Sequence, residues 1–442
     1  MLWNQIQQEA TVIGWDFYGP VLIFVALIAL GVPVWAAIGA GAVSMLLISE
    51  VLPLSLLGES LFDGIDHFAL TAVPLFILTG DVLVRTKLSR KFLDVAEALT
   101  CWARGGFGSA TVLVCGMFSA ISGSDAAGAA AVGRMTIDRL VESGYPRPYA
   151  CALVAAGACT GILIPPSIAY IVIGLVLGIS ASTLFQAALI PGILILISIL
   201  VTNIVVNRRH AYEGGGLISF RDWLANVGQA LARGWYAFLV PGVIFWGIFS
   251  GRLTPTEAGA TAVMITILLG FILGTLKLSD FPAMMVSSAK VNGIILPIVA
   301  MSLPLAQAMA AMGVPQGFVF AVTSITDNPY ILILLMIAIL IAAGCVMETT
   351  PNIVILAPLL KPLADQIGMN EIQFSIMITA LGVGFITPPL GLNLFVVSGL
   401  TGESILKIAA RAVPFVFFML LVVLLIAYVP VVSTILLPDI YK

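Results

Sequence analysis

Two interruptions of the same form, Gly161-Ile162-Leu163-Ile164-Pro165-Pro166 and Gly384-Phe385-Ile386-Thr387-Pro388-Pro389, stand inside apolar stretches of a 442-residue chain. Proline has no N–H and clashes with the preceding turn, so each tandem ends helical bonding and frees carbonyls and amides. Freed carbonyls beside hydroxyls are ligands for a hard cation such as Na⁺, which prefers oxygen. In the first half, the hydroxyls of Ser122 and Ser124 can meet the freed backbone of Gly161, Ile164 and Pro166, which makes one candidate sodium site. In the second half, Gly344 can face Gly384 and Thr387, a second candidate. Ile164 and Thr387 hold equivalent places, so one offers only a carbonyl where the other adds a hydroxyl. Taken singly, each glycine or proline is better explained by close helix packing and kinks. The two constellations together favour ion binding.

Two acids adjoin these groups. Asp125 follows Ser122-Gly123-Ser124, and Glu348 lies just after Gly344. Ionisable residues inside membrane spans are functional hypotheses by default, and for both residues direct ligation and a satisfied partner bond in a polar cavity remain open. A substrate cavity is expected among Ser124, Asp125, Pro165, Glu348, Thr349 and Pro388, near half-helix N-termini whose positive dipole ends favour a carboxylate.

Other chemistries lack their residues. His67 and His210 are the only histidines and lie far in sequence from these groups, so a Ser/His hydrolase has no base. No G-x-x-x-x-G-K-[ST] motif is present, which points to gradient coupling rather than a nucleotide. The five cysteines have no C-x-x-C spacing, and transition-metal ligand patterns are missing. Glu257 in Thr254-Pro255-Thr256-Glu257 reads as a helix-start capping box. Basic clusters, Arg85 to Lys91 and Arg208-Arg209-His210, abut apolar spans, where topology and anionic lipid account for them better than nucleic acid.

The elements that must hold these groups are membrane helices. Hydrophobic residues make up 60% of the chain and charged residues 9%, with mean hydropathy +1.14, which excludes an ordinary soluble domain. Segments 17–31, 33–50, 68–86, 147–179, 183–206, 235–250, 255–275, 292–312, 372–400 and 404–436 are candidate spans. Two further stretches, 107–140 and 329–363, have small or polar centres and are too short for two crossings, so each is expected to be a re-entrant helical hairpin. Amphipathic segments, Leu88 to Ala103 and Pro315 to Asp327, are expected before the hairpins. Met1 to Gly14 lacks the features of a signal peptide.

If the first hairpin opens to the cytoplasm, then of nineteen basic residues all but Arg252, Lys361 and Lys442 fall inside. Both termini then face the periplasm and the second hairpin opens outward. The halves, 33–210 and 253–438, become an inverted repeat. Ser122 precedes Pro165 by 43 residues and Cys345 precedes Pro388 by 43, which fits a duplication.

With these motifs in place, the chain resembles the large membrane subunit of the TRAP (tripartite ATP-independent periplasmic) transporters, DctM-like. The resemblance rests on Gly31-Val32-Pro33, Ser119 through Ser124, Gly144-Tyr145-Pro146, Gly161 through Ser167 and Pro191-Gly192. It continues in Thr254 through Ala258, Met347 through Pro358 and Thr387-Pro388-Pro389-Leu390-Gly391. Asp125 departs from the pattern, since the residue after Ser-Gly-Ser is often small or hydroxylated in that family. The resemblance implies an all-α membrane protein of about ten spans plus two hairpins, working as an elevator, with Na⁺ as the coupling ion and a carboxylate-bearing organic anion as cargo. The moving elements would be 107–180 and 329–400, with the remaining spans as scaffold. It further implies a separate small four-helix membrane subunit (DctQ-like), an extracytoplasmic binding protein (DctP-like) and residence in the bacterial inner membrane. A stand-alone ion-coupled carboxylate carrier, a channel and a membrane-embedded enzyme are the alternatives.

Overall fold

In the computed structural model, residues 15–49, 53, 55–214 and 219–438 are described; Met1 to Gly14 and Lys442, on which the expected placement of the termini rests, lie outside them. Among the described residues all regular structure is helical. Six helical segments are long and apolar enough to cross a membrane: Phe68–Arg85, Ala181–His210, Phe220–Phe249, Pro255–Ile272, Leu278–Ala311 and Ile405–Tyr428. Shorter apolar helices accompany them.

Both proline tandems break their helices. The first break separates Arg147–Ala158 and a 3₁₀ turn, Cys159–Ile162, from Ile168–Leu177. The second separates Glu371–Ile378 and Leu381–Gly384 from Leu392–Thr401. Each helix resumes where a special residue permits it. Ser167 accepts a bond from the Ala169 amide at 3.2 Å, while Gly391 turns the other chain at φ +56°.

The stretches with polar centres are helical pairs. Gly106–Ser122 and Asp125–Glu142 form the first, joined through Gly123 at φ +62°; Pro329–Gly344 and Thr349–Gln366 form the second. Arms of 16 to 18 residues are roughly 24–27 Å long, short of a hydrocarbon core of about 30 Å.

Packing divides the helices into a frame and a hairpin body. Val34–Ser49, Ser55–Ile65 and Ala72–Arg85 all pack on Phe281–Ala311, and Pro255–Ile272 joins Ala72–Arg85. The hairpins and broken helices pack among themselves. Ala181–His210 and Ile405–Tyr428 also pack there, on Gly106–Ser122 and on Arg147–Ala158 respectively, and on each other. These two spans thus pack with the hairpins and broken helices, although they lie outside the 107–180 and 329–400 expected to move. The reason is a buried face of Leu184, Phe185, Ala188, Gly192, Ile195 and Ile199 on one, and of Ile408, Ala412, Phe415 and Met419 on the other.

Several boundaries shift. The segment read as 292–312 is the C-terminal part of a helix, Phe281–Ala311, whose start is disguised by Ser287, Ser288, Lys290 and Asn292. The first amphipathic segment is the helix Leu88–Thr100, with Leu88, Phe92, Val95 and Ala96 buried as their spacing requires. The second is shorter, Val314–Thr323. A third, Phe220–Gly234, has no counterpart among the sequence-based expectations; it exposes Phe220, Leu224 and Leu231 and donates from the Trp223 indole to the Leu99 carbonyl at 3.3 Å.

Candidate functional site

Each hairpin tip closes on its own broken helix, backbone against backbone. A Cβ on Gly161 would lie 2.6 Å from the Asp125 amide nitrogen and 2.8 Å from the Ser124 carbonyl carbon. A Cβ on Gly123 would lie 2.9 Å from the Pro166 oxygen, and the Ile168 amide donates to the Gly123 carbonyl at 3.3 Å. Only glycine allows such approach. Ser122 Oγ sits 3.5 Å from both the carbonyl oxygen and the amide of Ser124. Ile164 donates its amide to Thr160 O at 2.8 Å and packs on Gly192.

The second junction repeats this with other atoms. A Cβ on Gly384 would lie 2.5 Å from Ile341 O and 2.6 Å from the Gly344 carbonyl carbon, while Gly344 itself abuts the Leu381 carbonyl. The amides of Leu390 and Gly391 both donate to Cys345 O, at 3.1 and 3.2 Å. Thr387 donates its hydroxyl to Val383 O at 2.8 Å, so any further role of Thr387 Oγ1 is that of an acceptor. Asn352, absent from the sequence-based site, straps the tip by donating to Met347 O at 2.9 Å and Ala343 O at 3.3 Å.

The two breaks also meet each other. Cys159 Sγ donates to Gly382 O at 3.2 Å, and Asn393 Nδ2 donates to Ala155 O at 3.2 Å. A Cβ on Gly382 would lie 2.8 Å from Ile162 Cδ1. Thr160 and Ser119 hydroxyls, 3.0 Å apart, tie the first arm to the first break. None of these residues belongs to the sequence-based site. Cys159, Thr160, Ile162 and Gly382 could have been flagged by lying within two residues of Gly161 or Gly384, and Ser119 by lying three before Ser122; Ala155 and Asn393 lie farther off and carried no such signal.

Asp125 and Glu348 stand in register. Asp125 precedes Pro165 by 40 residues and Glu348 precedes Pro388 by 40. Asp125 opens the second arm of its hairpin, and Glu348 stands immediately before the second arm of the other, without a side-chain capping bond. Asp125 is 4% exposed and its Oδ2 has no partner; Thr349 Oγ1, Asn352 Oδ1 and Asn393 Oδ1 are buried and unpartnered as well. Buried polar atoms are normally bonded. Each of these four oxygens, on or beside a tip or a break, is of a type that can accept from an N–H or O–H or contact a hard cation.

One residue of the expected substrate cavity, Ser124, opens onto a cavity beside the frame. Ser122 and Ser124 line a 230 Å³ cavity between the first hairpin and the frame, together with Gly80, Asp81, Arg134 and Ser288. Asp125, Pro165, Glu348, Thr349 and Pro388 do not line it. Pro165 is buried, whereas Pro388 is exposed. Away from the junction, Thr254 and Glu257 form the expected capping box, with the Thr254 amide donating to Glu257 Oε2 at 2.8 Å.

Short helical hairpins closed on proline-broken helices, in an all-helical apolar chain, are the parts of a membrane transporter. More particularly, residues 21–432 match the family described as Tripartite ATP-independent periplasmic transporter, DctM component, and the chain belongs to that family. It is 34% identical over 395 residues to the C4-dicarboxylate TRAP transporter large permease protein DctM of Pseudomonas aeruginosa, covering 89% of this chain and 91% of that one. The isethionate TRAP transporter permease protein DctMQ of Oleidesulfovibrio alaskensis is 31% identical over 93% of this chain and 65% of its own length. The sialic acid TRAP transporter large permease protein SiaM of Vibrio cholerae is 28% identical over 96% of this chain and 98% of its own. Among solved structures, the YdaH transporter of Alcanivorax borkumensis superimposes with a TM-score of 0.62 over 87% of this chain and 90% of that one, at 14% identity, a likeness of fold alone. The chain is therefore a multi-pass TRAP transporter permease, and the family is not enzymatic.

Proposed function

We propose that the protein carries out Na⁺-coupled uptake of a carboxylate-bearing organic anion across the bacterial inner membrane. The observation that supports this best is the pair of backbone junctions, Gly161 on the Ser124–Asp125 tip and Gly384 on the Gly344 tip, brought together through Cys159 and Gly382. Na⁺ is cargo here. Ser122, Ser124, Gly161, Ile164 and Pro166 would form one site, and Gly344, Gly384 and Thr387 the other. Na⁺ at both would order the tips and raise anion affinity, and by linkage the anion would raise Na⁺ affinity equally. The family description as ATP-independent supports gradient coupling. The relatives named for C4-dicarboxylate and sialic acid support a cargo among small organic acids.

Alternating access would come from the hairpin body sliding against the frame as an elevator, with Ala181–His210 and Ile405–Tyr428 travelling with the hairpins. About ten spans, two re-entrant hairpins in an inverted repeat and periplasmic termini complete this reading. A small four-helix subunit would widen the frame, and an extracytoplasmic binding protein would deliver the anion. Liposomes test the assembly: accumulation should require a Na⁺ gradient, the small subunit and loaded binding protein. Flux through this chain alone, or uptake indifferent to Na⁺, would contradict it.

A further inference from the structure

A second cavity, of 600 Å³, lies apart from the tips at the boundary between hairpin body and frame. One wall is the C-terminal end of Ile168–Leu177 with the turn through Ser180; the other is the frame turn carrying Arg252 and the capping box at Thr254. The volume is within the usual range for small-molecule sites, about 300–1,000 Å³.

One wall of this cavity carries an unpaired guanidinium. In the expected topology basic residues are concentrated on the opposite face, and only Arg252, Lys361 and Lys442 are assigned to this one. Lys361 is paired with Asp365 at 2.5 Å and with Glu371 at 3.5 Å, and Lys442 lies outside the described residues. Among the described residues of this face, Arg252 is thus the basic residue with no carboxylate partner within salt-bridge distance. Its guanidinium lies 5.1 Å from the Trp246 ring centroid, a contact that braces the side chain and leaves its planar fork of donors open. Glu257 lines the same cavity, but no ion pair joins it to Arg252; its Oε2 accepts from the Thr254 amide and hydroxyl within the capping box. The Ser180 and Ser182 hydroxyls, 2.8 Å apart, supply further donors to the wall. Ile168–Leu177 runs 10 residues from this cavity to the first tip, roughly 15 Å.

We infer that this cavity is an outer capture site for the organic anion, in which Arg252 holds the carboxylate before it moves along Ile168–Leu177 to the tips. The inference rests on the transport reading, since it names the first station of the same cargo. The attraction is local and not one of net charge, since Glu257 shares the wall: an unpaired guanidinium offers a carboxylate two parallel N–H donors in a fixed geometry.

The test reads occupancy separately from transport. In the purified permease with its small subunit, the Ser180→Cys variant is alkylated by a membrane-impermeant maleimide, in the presence of succinate or sialic acid and without Na⁺ or binding protein. The anion should slow alkylation about fivefold; adding Arg252→Ala should abolish that protection and Arg252→Lys should restore part of it. In liposomes, Arg252→Ala should raise the KM for uptake about tenfold with kcat within about twofold. Alkylation of the Ser180→Cys variant that neither anion slows, protection that survives Arg252→Ala, or protection that appears only when binding protein is added would each overturn the capture site. Protection without any Na⁺-driven uptake would leave the capture site standing and sink the transport reading instead.

Discussion

The two tip-and-break junctions share a backbone and differ in side chains. The first carries hydroxyls on its hairpin, at Ser122 and Ser124, and an apolar Ile164 before its prolines. The second has Cys345 and Val346 at the tip and moves its hydroxyl to the break, at Thr387, with Asn352 as a strap. The place of Asn352 in the first half is taken by Ala129, by the same offset that relates Pro165 to Pro388. What the two retain is close approach of main chain to main chain. Their settings differ too: the first break is buried throughout, while Pro388, Pro389 and Leu390 are exposed. On the transport reading proposed above, the common backbone would bind the ion and the side chains would set how firmly each tip is held.

That comparison can be broken most decisively at the glycines. Gly161→Ala and Gly384→Ala each drive a methyl into main-chain atoms that have no flexible end to yield. Na⁺-driven uptake should fall about a hundredfold in either variant, with the protein still extracted as a monodisperse peak. Wild-type uptake from either one would show that the backbone contact is incidental.

The strap separates the halves. Asn352→Ala should raise the half-saturating Na⁺ concentration about tenfold, since two bonds across the second tip are lost, whereas Ala129→Ser in the first half should change it little. Smaller effects are expected from single hydroxyls. Ser122→Ala and Thr387→Ala should each weaken Na⁺ activation about threefold, one oxygen among several being removed. Ile164→Thr, which gives the first break the side chain of the second, should leave activation within about twofold. Uptake against Na⁺ concentration checks all of these variants.

The smallest effect lies outside both junctions and sharpens the contrast with them. Thr254 caps Pro255–Ile272 in the frame, and its hydroxyl accepts from the Glu257 amide at 3.3 Å. Thr254→Ala removes that cap, so thermal melting of the detergent-solubilised protein should fall by about 2 °C, while the half-saturating Na⁺ concentration stays as in the parent. A shifted Na⁺ response in this variant would show that the frame, and not the junctions alone, sets ion affinity.

Much of this was legible in residues. Pro165-Pro166 and Pro388-Pro389 had to break helices, because a missing N–H and a ring clash are local facts. The tips were legible as small or polar centres in apolar stretches, and Thr254 with Glu257 as a capping box. The links between elements were not. Cys159 bonding Gly382, and Asn393 bonding Ala155, depend on which helices come together, and a buried cysteine or asparagine reads the same whatever it touches. The membership of Ala181–His210 in the hairpin body was hidden for the same reason: an apolar face does not say which apolar face it meets. The start of Phe281–Ala311 was hidden by local composition, and Phe220–Gly234 by a weak overall hydropathy that only its helical periodicity could have revealed.

The most direct test of the central claim is binding of radioactive Na⁺ to the purified permease with its small subunit, without transport. Gly161→Ala and Gly384→Ala should each remove part of the bound Na⁺, and the double variant should bind none above background. A double variant that binds Na⁺ as the parent does would contradict the assignment of sodium to these two junctions.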